Sequence, residues 1–246
     1  MGHSYFDRYR QVDSFFHRLD PRAKLLWMFF FILVVVLTPA QAYTAFLLYL
    51  LAVFVLIRLA KIPLKVVFKQ SLIIVAMVLM VAFFSIFKGS LEQKLLLIFN
   101  VTAKAWLCLL ASILLTASTP FELLLKGAQS LRVPQVLITL LSFTYRFLFL
   151  ISEEVSRMQK ARKLRDFGNS RLKHLKTIGH IAGNLFVRSY ERGERVYQAM
   201  LLRAFKGEIN TYSDLRFMQT DVGFILITTG IMLPIFIFSI LFTTQY

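Results

Sequence analysis

Arginine is the side chain with the most to offer chemically in this chain, and it recurs in one setting. Residues 161–168 read Ala-Arg-Lys-Leu-Arg-Asp-Phe-Gly, and residues 199–207 read Ala-Met-Leu-Leu-Arg-Ala-Phe-Lys-Gly. Both follow the pattern A-x-x-L-R-x-F and then reach a glycine. Each closes a long helical pattern, because glycine just past the last periodic residue is a stop signal. A cation on a last helical turn meets the partial negative charge there, an effect of about 0.3–1 kcal/mol. That accounts for a single arginine. It leaves the repeated leucine and phenylalanine around two arginines unexplained. A planar guanidinium between apolar side chains suits an interface anchor, in which the fork reaches acceptors while the flanks bury. The chemistry expected of Arg165 and Arg203 is therefore the grip on a partner, with Leu164, Phe167, Leu202 and Phe205 as flanks.

Other chemistries find less support. The phosphate-binding pattern G-x-x-x-x-G-K-[ST] is absent from the sequence, and so is any Ser/His/Asp or zinc-protease spacing. The expectation is a non-enzyme with no cofactor. Met1-Gly2-His3 resembles an amino-terminal copper or nickel clamp only if Met1 is retained, and Gly2 favours its removal. His17 is isolated, and His174 and His180 are six apart and share no helix face. No His, Asp or Glu falls within a predicted span, so no metal site is expected here and any transported cation needs ligands on another subunit. Glu153, Glu154, Glu191 and Glu194 fit ordinary helical pairing with Arg157, Arg188 and Arg195.

The elements that must carry the two arginines are membrane elements. Of 246 residues, 57% are hydrophobic, and mean hydropathy is +0.65. Several apolar runs approach the roughly 20 residues that cross a bilayer. The fold class expected is an all-α polytopic membrane protein. Its single Cys108 permits no disulfide within the chain and fits a reducing cytoplasm. The polar, charged start argues against a cleavable signal peptide.

Residues 1–22 form a polar head. Asp20 is a good N-cap and Pro21 suits the first helical position, opening span 1 from about Ala23 to Thr38. Span 2 runs from about Ala42 to Ile57, span 3 from Leu72 to Phe87 and span 4 from Leu95 to Ala117, so that residues 23–117 hold the first four. Thr119-Pro120-Phe121-Glu122 reads as a helix start, with Thr119 as the cap, and opens a short amphipathic helix to about Leu131. Val133-Pro134 ends it. Two long helices follow, Pro134 to Phe167 and about Leu172 to Phe205, separated by Gly168-Asn169-Ser170. Asp221 caps the last span, about Val222 to Phe242, within residues 222–246.

Residues 134–152 are apolar enough to suggest a further span, but Arg146 interrupts them. Charge arbitrates, because cytoplasmic segments are rich in Lys and Arg. Arg8, Arg10, Arg18, Arg22 and Lys24 put the N-terminus inside, and the link with Arg58, Lys61, Lys65 and Lys69 is then inside too. Residues 118–221 hold 17 Lys or Arg against 9 acids. All of that charge stays inside if 134–152 does not cross. The expectation is about five spans, with 118–221 cytoplasmic and 134–152 lying against the membrane face or under the bundle; six spans is the alternative. Lys104 lies mid-span in span 4, where a charge is expensive and often functional. It either touches a membrane partner or snorkels toward a polar seam near Thr102, Ser112 and Thr116.

Several motifs then carry a family resemblance. Leu19-Asp20-Pro21-Arg22-Ala23-Lys24-Leu25, Thr119-Pro120-Phe121-Glu122 and Tyr145-Arg146-Phe147 resemble the signature of the transmembrane coupling subunit (T component) of energy-coupling-factor (ECF) transporters. Arg195-Val-Tyr-Gln-Ala199-Met200-Leu-Leu-Arg203 is similar to the cobalt-type branch, called CbiQ. The resemblance spans almost the whole chain. It implies a multi-pass protein of the cell inner (plasma) membrane with two long coupling helices between the fourth and last spans. Each such helix ends in an Ala-Arg-Gly motif that docks into one of two cytoplasmic ABC ATPase subunits. Arg165 and Arg203 take that place, although Leu164 and Asp166, and Leu202 and Ala204, replace the flanking Ala and Gly. A substrate-binding membrane (S) subunit, with a small accessory membrane subunit in some systems, completes the implied assembly. Lys104 and Arg146 are candidates to touch it, and Asp20, Pro21, Arg22 and Lys24 form the motif before the first span. The implied cargo is cobalt or nickel, with a vitamin such as biotin as the alternative. A membrane-anchored basic module binding lipid or nucleic acid is the competing reading, in which no arginine pair is privileged. Under the T-component reading nucleic acid is not a partner. An intramembrane enzyme or channel is poorly supported, because the spans hold almost no ionisable group.

Overall fold

In a computed structural model all the regular structure of the described residues is helical; these residues are 16, 19–63, 67, 71, 72, 74, 76–78, 80, 81, 83, 91–165, 171–205, 207 and 218–243. The elements are α1 (Pro21–Leu37), α2 (Tyr43–Leu59), α3 (Leu91–Ser118), α4 (Phe121–Ser130), α5 (Gln135–Arg165), α6 (Arg171–Leu202) and α7 (Gln219–Thr243). These match expected spans 1, 2 and 4, the amphipathic helix, the two long helices and the last span to within a few residues. The expected third span lies largely outside the described residues, with residues 71, 72, 74, 76–78, 80, 81 and 83 helical. The Gly168-Asn169-Ser170 break lies wholly outside them.

Local chemistry explains most helix ends. Asp20 sits in extended conformation before α1, and its side chain accepts from the Arg22 N–H at 2.9 Å. Pro21 takes the first turn, where no N–H is needed. Helix α7 opens with half of a capping box: Asp221 Oδ2 reaches back to accept from the Met218 N–H at 2.8 Å. Helix α4 corrects the expected cap. Its N-cap is Pro120, with no side-chain bond, because the Thr119 hydroxyl is engaged by Lys24 Nζ instead, at 3.1 Å.

Two compact units divide the chain, Met1–Leu131 with Ser213–Tyr246, and Arg132–Tyr212. In the first, α1 packs on α3, α4 and α7, and α2 packs on α3 and α7. Its core is an aromatic stack: Trp27 lies on Phe31 at 5.5 Å between centroids, Phe16 meets Phe224 at 5.6 Å, and Phe31 meets Tyr49 at 6.2 Å. Fully buried Ala23, Ala60 and Ala111 let backbones approach closely, the usual device where lipid offers no hydrophobic drive. Large side chains such as Phe29, Leu47 and Leu226 point outward, the pattern of a lipid-facing surface. The second unit is the pair α5 and α6.

Three described helices, Lys94–Ser118, Gln135–Leu164 and Gln219–Leu241, are long and apolar enough to cross a membrane by length and composition. Gln135–Leu164 is therefore a candidate span, as the six-span alternative requires. Helix α2 is apolar but shorter, at 17 residues or about 26 Å against a hydrocarbon core of about 30 Å.

Candidate functional site

Helices α5 and α6 have 31 and 32 residues, about 47 and 48 Å long. They are tied by Arg188, whose Nη1 donates to Glu154 Oε1 at 2.7 Å. The sequence reading had Arg188 pairing along its own helix; the structure sends it across to α5. Arg157–Glu153 at 3.6 Å and Arg195–Glu191 at 3.9 Å remain exposed pairs along single helices, of the kind that contributes little to stability. Beside the Arg188 bridge, an open groove of about 530 Å³ runs between the helices, lined by Phe143, Phe147, Leu148, Ile151 and Leu185. Phe143, Phe147 and Ile151 repeat every four residues, which places them on one helix face. The outer face of α6 exposes Phe186, Tyr190, Tyr197 and Leu201.

The C-terminus of α6 is built in detail. Phe205 N–H bonds Met200 O and Ala204 N–H bonds Leu201 O, both at 3.0 Å. This is a Schellman ending with Arg203 at the C-cap. The residue that turns the chain is Ala204, at φ 54°, and not Gly207, which lies further on at φ 85°. The expected glycine stop is thus displaced by three residues, and an alanine holds the left-handed position. An L-residue there costs about 1–2 kcal/mol. Arg203 is exposed, and Leu202 is 90% exposed. Phe205 turns back instead: its ring lies 6.2 Å from Phe143 of α5, and Gly207 O accepts from the Thr139 hydroxyl at 3.3 Å. These contacts brace the end of α6 against the first turns of α5.

At the other end of the pair, Arg165 is the last residue of α5. Leu164 before it is 79% exposed. The Arg165 side chain and all of Phe167 lie outside the described residues. Arg165 and Arg203 thus end their two helices, and the exposed leucine that precedes each is common to both.

Lys104 has a local partner. Its Nζ donates to Val36 O at 2.8 Å, satisfying a carbonyl in the last turn of α1. Thr102, Ser112 and Thr116 bond back to carbonyls of their own helix and form no seam with it. Arg146 is exposed on α5. Among the described residues, no group of three or more His, Cys, Asp or Glu is placed to hold a metal ion.

Asp20, Pro21, Arg22 and Lys24 converge with residues distant in sequence. Asp221 Oδ1 accepts from the Asp20 N–H at 2.8 Å, Lys24 reaches Thr119, and α4 approaches Pro21 and Arg22 at Gly127. Sequence reasoning singled out the first motif and gave Asp221 and Thr119 only capping roles. The buried cluster they form was missed; the one available signal was charge placed immediately beside apolar spans.

Residues 13–213 match the family model of CbiQ, described as cobalt transport protein. The chain belongs to this family. The energy-coupling factor transporter transmembrane protein EcfT of Bacillus subtilis (strain 168) is 28% identical over 228 residues, 81% of this chain and 84% of that one. The cobalt transport protein CbiQ of Rhodobacter capsulatus is 32% identical over 99 residues, 40% of this chain and 41% of that one. An uncharacterised protein of Methanocaldococcus jannaschii, MJ1571, is 29% identical over 135 residues, so that this chain spans about half of its length, 46%. The expected resemblance to ECF T components is thus met by the family and by relatives that align along most of the chain. Within this CbiQ-family chain, the matched region takes in every described helix except α7. It therefore includes both arginine-bearing ends and the motif before α1.

Proposed function

We propose that this chain is the non-catalytic coupling subunit of an ECF-type importer. Arg165 and Arg203 each take hold of one of two cytoplasmic ABC ATPase subunits, which bind and hydrolyse ATP. Helices α5 and α6 carry the resulting motion to a substrate-binding membrane subunit, and cobalt or nickel is the cargo. The observation that carries this reading is the end of α6, where a Schellman turn presents Arg203 beside an almost fully exposed Leu202. An arginine kept only to complement the helix terminus needs no exposed apolar neighbour. The open groove and the outward aromatic side chains of α6 favour a further protein or membrane neighbour.

In the same proposal the N-terminus and residues 118–221 are cytoplasmic, and α5 lies along the inner membrane face. Its exposed Arg146 and the 17 cations of the segment favour that arrangement over a crossing. Lys104 is assigned to the structure of the bundle, since Val36 already occupies it. The experiment is uptake by cells that express the chain together with ABC ATPase and substrate-binding subunits of an ECF transporter. Radiolabelled cobalt, nickel and biotin are offered in turn. Accumulation of cobalt or nickel that is lost in Arg165→Ala/Arg203→Ala is expected. Accumulation of biotin alone would move the cargo to the vitamin class, and normal uptake by the double variant would overturn the assignment of the arginines.

A further inference from the structure

Four polar residues from three distant parts of the sequence meet at the start of α1, in a site that water barely reaches. Asp20, Lys24, Thr119 and Asp221 are 6%, 1%, 2% and 2% exposed. Asp221 works with both oxygens: Oδ1 accepts from the Asp20 N–H at 2.8 Å and Oδ2 from the Met218 N–H at 2.8 Å. Lys24 Nζ donates to the Thr119 hydroxyl at 3.1 Å and feels the charges of Asp221 and Asp20. Its ammonium also lies 5.4 Å from the Phe16 ring centroid. Charges this deep are usually paired and hydrogen-bonded, and breaking such a set is costly; Asp20 Oδ2 is the exception here, buried with no hydrogen-bond partner. Close packing adds a fifth contact. A Cβ at Gly127 of α4 would stand 3.2 Å from Pro21 Cβ and 3.4 Å from the Arg22 nitrogen, so any larger residue would push α4 and α1 apart by a few tenths of an ångström.

The positions of these residues in the chain give the cluster its meaning. Thr119 is where the chain leaves α3 for the segment that contains α4, α5 and α6. Asp221 is where it re-enters a membrane helix. Both ends of that segment are fastened to the same five-residue stretch at the start of α1, Asp20 to Lys24, and α4 is seated on it as well. We infer that this cluster is a rigid joint that fixes both roots of the coupling segment to one point on the first span, with Asp221, Lys24 and Thr119 as positioning residues. The inference rests on the coupling role proposed above. Given that role, motion delivered to the far ends of α5 and α6 is not lost where the segment meets the bundle, because the two roots cannot move apart.

The test places a spin label on either side of the joint, at Leu131→Cys and Met218→Cys, with Cys108→Ser to remove the native thiol. Both positions are exposed. The label at 218 leaves the backbone N–H that Asp221 accepts. Distances are measured by pulsed electron resonance in the complex with its ATPase subunits, without nucleotide and with ATP and vanadate. A native joint gives one narrow distance that nucleotide does not change. Thr119→Val removes the Lys24 acceptor at nearly constant volume, and Asp221→Asn removes the negative charge and leaves one acceptor oxygen for the two N–H groups of Asp20 and Met218. Either variant is expected to keep the ATPases bound and hydrolysing ATP while the distance broadens and becomes nucleotide-dependent. A native distance that shifts with nucleotide would overturn the joint, as would variants whose distance stays narrow and unchanged. If the native chain fails to bind ATPase subunits, the coupling role falls. The joint itself is then decided by whether the variants broaden the distance in the isolated protein.

Discussion

Ala204 shows what one side chain does at the end of α6. The Schellman turn needs a left-handed residue immediately after Arg203, and alanine occupies it at φ 54°. The resemblance placed glycine at this position, and the geometry supplies the reason, since glycine has no Cβ to clash. Ala204→Gly is therefore expected to stabilise the last turn of α6 by about 1 kcal/mol. Hydrogen exchange at the Ala204 and Phe205 amides is the measurement: slower exchange is expected, and equal or faster exchange contradicts the strain argument. The two arginines also differ in their neighbours. Asp166 follows Arg165, whereas Ala204 follows Arg203. An adjacent carboxylate competes for the guanidinium, so single Ala substitutions should reduce ATPase retention unequally, with Arg203→Ala the more severe. Indistinguishable losses in a pull-down would count against that ranking.

Helix positions were legible in the sequence because apolar runs, Pro and Asp mark them strongly. Asp20-Pro21 before α1 and Val133-Pro134 before α5 fall where their chemistry requires. What local pattern could not show was competition for a side chain from a distant element. Thr119 looks like a cap until Lys24, 95 residues away, takes its hydroxyl. Arg188 looks like a partner for Glu191 until Glu154, 34 residues away, takes it at 2.7 Å. The course of α5 is the element-level question, because its apolar half suits either a crossing or a membrane-face helix. Single cysteines at Val136 and Leu164, both well exposed, decide it once Cys108 is replaced. The proposed topology predicts that a membrane-impermeant maleimide labels both in inside-out vesicles and neither in intact cells. Labelling of position 164 from outside would establish a sixth span.

On the scale of the whole molecule, the two compact units differ in what they bury. The unit built on α1 buries an aromatic core and a charged cluster, whereas the α5–α6 unit keeps much of its apolar surface and most of its charge outside. A stable core in one and an unsatisfied surface in the other is the arrangement expected of a membrane anchor and a partner-binding arm. The central claim is that two arginines at two helix ends hold the ATPase subunits, and retention of those subunits tests it most directly. Wild-type chain and Arg165→Ala/Arg203→Ala are purified from membranes in mild detergent with co-expressed ATPase subunits, and the bound ATPase is quantified by native mass measurement. The account predicts that the double variant inserts normally and retains no ATPase, while wild type retains two subunits. A double variant that still carries both would contradict it.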